Sequence, residues 1–405
     1  MRHHLLLLTT SLLSIEAYAQ ECAGGRYIDA GVFSAVTTTN AVVYGSNTAV
    51  AGGTQTLRLD VYEPTSDLLD QRPVVIVAFG GSFIAGSRAD VADICIDLAK
   101  RGYVAVAPDY RVGFFFPNAA TTTRAVMRGA HDMKAVVRFL RKTVAENGNP
   151  YRIDADRIII GGVSAGAISA LHATYLDEES EIPAVIASEM PALGGVEGNS
   201  GSPGYSSEVF ACYSFSGALG DTSWIAVGDV PLASIHEVGD GVVPYYTQEV
   251  SVVGVPTGLI ASGSYDIHQR AAHVSLVNCF KSYPGSGHVG YLSSDFATAM
   301  DWTAQFLGEL ACGSTVSCGA TTGIEADAVI RELTVQPNPT EGVLSLLAPA
   351  NGTLSVMDPS GREVLRANVV AGLRTIDLSG LPDGAYAVRI IGAISGTARI
   401  LKVSR

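Results

Sequence analysis

The sequence predicts an α/β protein with a mostly parallel central sheet covered by helices on both faces, followed by a small all-β sandwich. Three observations carry this. Between about Arg58 and Leu310, apolar β-branched runs alternate with helical patterns, as in parallel sheets buried on both faces. After Cys312 the helical patterns stop, and turns such as "PNPT", "DPSG" and "LPDG" punctuate short alternating segments. The charge changes too: residues 331–405 hold 8 Lys and Arg against 6 Asp and Glu, whereas the whole chain carries −13.

The elements follow in order. "MRHHLLLLTTSLLSIEAYAQ" has a basic start at Arg2, an apolar run from Leu5 to Leu13 and a small-x-small site at Ala17-Tyr18-Ala19. It reads as a signal peptide over 1–19, cleaved before Gln20. The run is too short to cross a bilayer core of roughly 30 Å as a helix, and no later run reads as an anchor. "RPVVIVAFG" is a buried strand with Pro73 at its start, where proline is tolerated. "VADICIDLAKRG" is a helix stopped at Gly102. "YVAVAPDY" and "DRIIIGG" are strands flanking the long amphipathic helix "TTTRAVMRGAHDMKAVVRFLRKTVAENG". "VFACYSFSG", "VPLASIHEVGD" and "VNCFKSYPG" continue the sheet, and "SSDFATAMDWTAQFLGEL" is the last helix. These define a catalytic-sized domain over 20–312, a linker of small residues over 313–330, and a β-domain over 331–405.

Hydrophobic residues make up 47% and charged residues 16% of the 405. That supports a core rather than disorder. The acidic balance disfavours nucleic acid and anionic lipid as partners. Export places the six cysteines in an oxidising compartment. Their spacing fits no metal site; the expected pairs are Cys22 with Cys95 and Cys279 with Cys312. No metal or other cofactor is implied.

Gly162-Val163-Ser164-Ala165-Gly166 is a G-x-S-x-G motif between a strand and a helix, the context it requires. The chain has 44 glycines, so the motif means little without partners. Ser164 needs a base. Among the eight histidines, His131 and His172 lie in helical patterns, His268 and His273 flank another, and His236 lies in an apolar strand. His288 sits in a glycine-rich loop after a strand, in "YPGSGHVGY", and is the candidate. Asp240, just past a strand in "SIHEVGDGVVPYY", is the candidate orienter. Asp266 is its rival and reads better as a helix N-cap. Asp109 reads as structural, pairing with Arg111. The Ala165 N–H at a helix N-terminus and the loop "VAFGGSFIAGS" supply oxyanion donors from Gly81, Ser82 and Ala165.

The segments "AFGGSFIAGS", "VAPDYR", "GGVSAGA", "HEVGDGVVPY" and "GSGH" together resemble the α/β-hydrolase superfamily, in particular carboxylesterases and hormone-sensitive-lipase-like esterases, over about Tyr27 to Leu310. The resemblance implies Ser164 as nucleophile, His288 as base and acid, and Asp240 as its orienter. It implies an acyl-enzyme mechanism on carboxylic esters. Two residues depart from the pattern. Phe79 replaces a histidine that braces the loop, and Ser82 replaces a glycine, which fits if its φ is negative. The insertion "DEESEIPAVIASEMPALGGVEGNSGSPGYSSEV" is too long for an ordinary connection and in this fold forms a cap or one wall of the acyl pocket. The tail, through "VQPNPTEG", "VMDPSGREV", "IDLSGLPDGAYAVRI" and "ILKVS", resembles the type A C-terminal sorting domain of the type IX secretion system. That implies the secretion machinery as a partner, and passage through the periplasm and outer membrane to the cell surface or medium. Two alternatives stand beside a small-ester hydrolase: an esterase that depolymerises polyester or acetylated or feruloylated polysaccharide, and a displayed binding protein without catalysis.

Overall fold

The structure is a computed structural model that describes residues 21–318, 331–348, 351–358, 362–392 and 396–404. The expected signal peptide and most of the expected linker lie outside these residues. Contacts divide the chain into two compact units, up to residue 319 and from residue 320.

The strands of the first unit are β1 (Val36–Thr48), β2 (Thr54–Pro64), β3 (Arg72–Ala78), β4 (Val104–Pro108), β5 (Ile153–Gly162), β6 (Ala211–Phe215), β7 (Ala218–Leu219), β8 (Leu232–Glu237), β9 (Gln248–Val252), β10 (Val255–Gly263) and β11 (Asn278–Tyr283). Its longer helices are α1 (Ala92–Arg101), α2 (Ala119–Glu146), α3 (Ala165–Tyr175), α4 (Ser264–His273) and α5 (Phe296–Ala311). Eight strands form one sheet in the order β1-β2-β4-β3-β5-β6-β8-β11. β2 pairs antiparallel with both β1 and β4, and the strands from β4 to β11 run parallel. This is the α/β-hydrolase fold.

The apolar runs become strands because helices cover both faces: every residue of β3, β4, β6 and β8 is buried. The strand order reverses at β3, with β4 on one side and β5 on the other. Ligands bind at the carboxyl ends of strands beside such a reversal. The loops after β3, β5, β8 and β11 all open on that edge. β7, β10 and β9 form a separate three-stranded sheet. Its β9–β10 hairpin turns at Val253 and Gly254, with φ of 50° and 76°, a turn with two positive φ values that suits the strand twist.

The cysteine expectation is corrected. Cys22 pairs with Cys312 and Cys279 with Cys318, while Cys95 and Cys212 are free and buried. Cys95 lies on the apolar face of α1 and packs into the core, whereas Cys22 meets the end of α5. The Cys279–Cys318 bond also ties residues 313–318 to the first unit, so the linker begins later than its composition suggests.

The second unit contains β12 (Arg331–Glu332), β13 (Val335–Gln336), β14 (Val343–Ala348), β15 (Gly352–Met357), β16 (Glu363–Val369), β17 (Gly372–Asp377), β18 (Gly384–Gly392) and β19 (Gly396–Lys402). They form one sheet in the order β12-β19-β18-β15-β16 and another in the order β13-β14-β17. Leu344, Leu346, Leu354, Val356, Val388 and Ile400 form its own core. The alternating segments of the tail place these residues inside and polar ones outside. Among the described residues, no helix is long and apolar enough to cross a membrane.

Candidate active site

Ser164 sits at the turn from β5 into α3, with φ 54° and ψ −121°. A non-glycine residue rarely adopts this conformation, which costs on the order of 1–3 kcal/mol unless its surroundings enforce it. The surroundings do: Val163 N–H donates to Ala78 O at 2.9 Å, Ser164 N–H to Phe215 O at 2.8 Å, and Ile168 N–H to Ser164 O at 2.9 Å. Glycine is required next to it. A Cβ on Gly166 would lie 2.2 Å from Ala78 O, so only glycine lets α3 approach β3 this closely. The turn therefore projects the Ser164 side chain from the carboxyl edge of the sheet.

His288, in the loop after β11, meets that side chain. Its Nε2 lies 2.7 Å from Ser164 Oγ, and its Nδ1 lies 2.7 Å from Asp240 Oδ2. Nδ1 faces an acceptor and so carries the proton. Nε2 is left to accept from the serine hydroxyl. Asp240 follows β8, and its side chain is fully buried. Its Oδ1 accepts from Val242 N–H at 2.8 Å and Val243 N–H at 3.0 Å. Burial alone would raise its pKa, but hydrogen bonds from His236, His288 and Val242 outweigh it and hold the carboxyl far below the usual range.

His236 is the residue that sequence reasoning passed over. Its sequence setting is an apolar strand, and it lies in β8, fully buried. Its Nε2 stands 3.2 Å from Asp240 Oδ2 and 3.3 Å from Val243 O, while Nδ1 is 2.8 Å from Ser264 Oγ. With acceptors on one side only, Nε2 carries the proton and Ser264 donates to Nδ1. The signal was available in the spacing: His236 and Asp240 bracket the strand end four residues apart. The rival acids lie elsewhere. Asp266 is not an N-cap; it is the third residue of α4 and accepts from Thr247 N–H at 2.6 Å. Asp109 pairs with Arg88 rather than Arg111, because Arg111 forks onto the buried Asp132 at 2.9–3.1 Å.

The loop after β3 turns beside the serine: a Cβ on Gly80 would lie 3.2 Å from Ser164 Cβ. Among the described residues, the N–H groups of Gly81, Ser82 and Ala165 have no partner within the chain. Gly81 has φ 122°. Ser82 departs from expectation with φ 55°, followed by Phe83 at 60°. The loop is braced without a histidine. Tyr110 Oη donates to Phe79 O at 2.7 Å, the two rings stack with centroids 4.3 Å apart, and Gly113 N–H donates to Phe83 O at 2.5 Å.

An apolar pocket of about 80 Å³ opens at Ser164. Its walls come from α2, α3 and the β9–β10 hairpin, including Val126, Ile168, Val252 and Leu259. The insertion after α3 does not line it, contrary to expectation. Instead the insertion is tied down on α2: Glu189 pairs with Arg124, Glu197 with Lys134 and Arg138, and Ser200 with Asp132. The wall expected from the insertion is supplied by a hairpin whose short, half-polar strands carry no clear period. Chemically, the arrangement offers a hydroxyl on a basic imidazole, a buried carboxylate behind it and free N–H donors beside it. Such a set can form and break an acyl–oxygen bond.

The chain is similar to known proteins in parts. Residues 59–197 match the family described as BD-FAE, and residues 334–401 match the secretion system C-terminal sorting domain. Lipase 1 and Lipase 2 of Geotrichum candidum are each 30% identical over 29% of this chain. The chain spans about a fifth of the length of these curated relatives, 21%. The structure of Thermogutta terrifontis esterase 2 phosphorylated by paraoxon is 21% identical, covering 68% of this chain and 94% of that one with a TM-score of 0.47. The tabun-treated form of the same esterase is 20% identical, with a TM-score of 0.48 over the same shares. The first unit thus has an α/β-hydrolase fold that includes a segment similar to BD-FAE, and the tail is similar to a secretion system C-terminal sorting domain.

Proposed function

We propose that this chain is an exported serine hydrolase of carboxylic esters, acting through Ser164, His288 and Asp240. One observation carries the reading: a single imidazole stands 2.7 Å from both the Ser164 hydroxyl and the Asp240 carboxylate at the mouth of an apolar pocket. His288 Nε2 takes the Ser164 proton as Oγ attacks the ester carbonyl carbon. The resulting oxyanion is held by the N–H groups of Gly81, Ser82 and Ala165. As the tetrahedral species collapses, the bond to the alcohol oxygen breaks and His288 gives that oxygen its proton. Water then attacks the acyl-enzyme, passing its proton to His288, and the acid leaves as Ser164 recovers its hydrogen. Asp240 holds the imidazole in the required tautomer and stabilises its cation. The sorting tail supports export through the periplasm and across the outer membrane.

The test is fluorophosphonate labelling with hydrolysis of a p-nitrophenyl ester. An adduct on Ser164, and loss of turnover in Ser164→Ala, are expected. Folded protein that takes no label would point to a binding protein instead.

A further inference from the structure

Glu237 closes β8, next to His236 and just before the loop that carries Asp240. It is buried, and no donor in the chain reaches its Oε2. A buried carboxylate oxygen without a donor is costly, and the mechanism above leaves this one unused. What surrounds it is the loop that carries His288.

That loop wraps the carboxylate. A Cβ on Gly287 would lie 2.6 Å from Oε2, and one on Gly290 would lie 2.8 Å from Oε1. These glycines flank His288 and Val289, so the imidazole leaves the chain from the turn that encloses Glu237. Val289 holds φ 53°, a value that a β-branched residue rarely adopts. Among the described residues, the N–H groups of His288, Val289 and Gly290 donate to no acceptor. The loops of the acid and of the base are joined at the same place. Glu237 stands opposite Tyr283 where β8 pairs with β11. Val238 N–H donates to Tyr283 O at 3.0 Å, and Gly239 N–H to Gly285 O at 2.7 Å.

We propose that Glu237 is a positioning residue for the base: its carboxylate seats the turn from Gly287 to Gly290 and sets a second negative charge behind the imidazolium that His288 becomes. The inference rests on the ester-hydrolase reading above. Asp240 holds the ring through Nδ1; Glu237 holds the backbone from which the ring projects. Both carboxylates are buried, where charges act more strongly than in water. The other titratable and charged groups around the turn come from three elements. β8 and its loop bring His236 and Asp240. β11 brings Tyr283, with Lys281 Nζ 5.5 Å from the centre of its ring, and Tyr283 Oη donates to Asp295 at 2.8 Å. Tyr291 follows the turn; burial pushes its hydroxyl up, and the charges of Glu237 and Asp240 push the same way.

The experiment uses the full chain as wild type, Glu237→Gln and Gly290→Ala. Glutamine keeps the shape and removes the charge. Gly290 has φ −60° and ψ −30°, which alanine adopts freely, so Gly290→Ala displaces the carboxylate without a change of backbone. Hydrolysis of p-nitrophenyl acetate is followed against pH. Glu237→Gln lowers kcat about tenfold with KM unchanged. The acid limb of kcat/KM moves to lower pH, because the imidazolium loses a stabilising charge. Gly290→Ala moves both in the same direction by less, and the double variant loses less than the sum, since both changes act on one contact. An active Glu237→Gln with wild-type kcat and an unmoved acid limb overturns the proposal, and so does a fall in Tm alone, which a space-filling role would give. If that variant does not fold, Gly290→Ala decides by the same two readouts. Fluorophosphonate labelling separates the two ideas: a labelled enzyme whose variants keep the wild-type profile overturns only the role of Glu237, and an unlabelled wild type overturns the hydrolase reading.

Discussion

His236 Nε2 lies 3.2 Å from Oδ2 of Asp240, the same oxygen that accepts from His288 at 2.7 Å. The carboxylate is therefore fixed by four donors, two backbone and two imidazole. His236 touches no reacting atom; it acts through Asp240 as a positioning residue. Hydrogen bonds to a charged group are worth about 1.5–3 kcal/mol. His236→Ala should lower kcat by roughly 10–100-fold if the loss is expressed in the transition state. KM should hold, and the pH–rate profile should shift because the freed carboxylate becomes more basic. A uniform loss of folded protein, with an unchanged profile per labelled Ser164, would make His236 merely structural.

Gly81 offers a sharper test of the oxyanion loop. Its φ is 122°, and an added Cβ would lie 2.2 Å from Ala85 O. Gly81→Ala must therefore shift the loop. The expected loss is about 10²–10³ in kcat, the usual effect of losing one oxyanion donor. Labelling of Ser164 should slow in parallel, since it passes through the same geometry. Wild-type kcat in this variant would remove Gly81 from the proposed mechanism.

What the sequence reveals and what it hides divide along physical lines. β3 to β6 and β8 are legible because strands buried on both faces are largely continuous apolar runs, whereas β11, a half-buried edge strand, is legible from its place in the alternation of strands and helices. Ser164, Asp240 and His288 are legible because each follows a predicted strand at its carboxyl end. β1 is not. "VTTTNAVVYGSNT" is mostly exposed, so nothing in its polarity separates it from a loop. The β9–β10 hairpin hides for the same reason, and with it the pocket wall. The φ of Ser82 is invisible because its positive value is imposed by Tyr110, Gly86 and Gly113 packing around the loop. Disulfide pairing depends on where the two ends of the first unit meet its strands and helices, which spacing does not encode.

Three buried histidines make the first unit sensitive to acid. Burial pushes His131, His172 and His268 down to about 4. Each is neutral when folded and accepts a proton near pH 6.5 when unfolded. The unfolded state thus binds more protons between about pH 4 and 6.5, so stability is full above that window and falls as pH drops through it. The depressed carboxyl of Asp240 adds a further loss at lower pH. At pH 5 one such histidine costs about 2 kcal/mol, a few degrees of Tm. Thermal melts should show Tm falling from pH 7 to pH 5, with a smaller fall in His268→Asn. A flat profile would mean these rings stay accessible to protons.

The Cys22–Cys312 bond closes a loop with a sequence separation of 290. Removing a native disulfide typically costs about 2–5 kcal/mol. Cys22→Ser should lower the denaturation midpoint accordingly while kcat at 25 °C stays near wild type, since neither cysteine lies near Ser164. Cys95 and Cys212 are buried thiols, so native protein should react with a thiol reagent only after unfolding. Rapid labelling of two thiols in the folded state would contradict their burial, and labelling of two thiols other than Cys95 and Cys212 would contradict the pairing.

The insertion after α3 is anchored rather than poised to open. Ser200 Oγ donates to Asp132 Oδ1 at 2.5 Å, and Arg111 binds the same carboxylate through Nε and Nη2. All three side chains are buried. Asp132→Asn keeps the shape but leaves the Arg111 charge uncompensated, and breaking such a pair costs about 3–5 kcal/mol. Arg124→Ala removes only the exposed pair with Glu189 and should cost about 0.2–1 kcal/mol. An anchored insertion predicts that both variants, per folded molecule, keep the wild-type kcat for short esters, because the pocket wall is the hairpin. A moving lid predicts the opposite: Arg124→Ala would free the insertion, changing kcat and KM together while barely moving the melt. Measuring kcat and Tm side by side for the two variants distinguishes the cases.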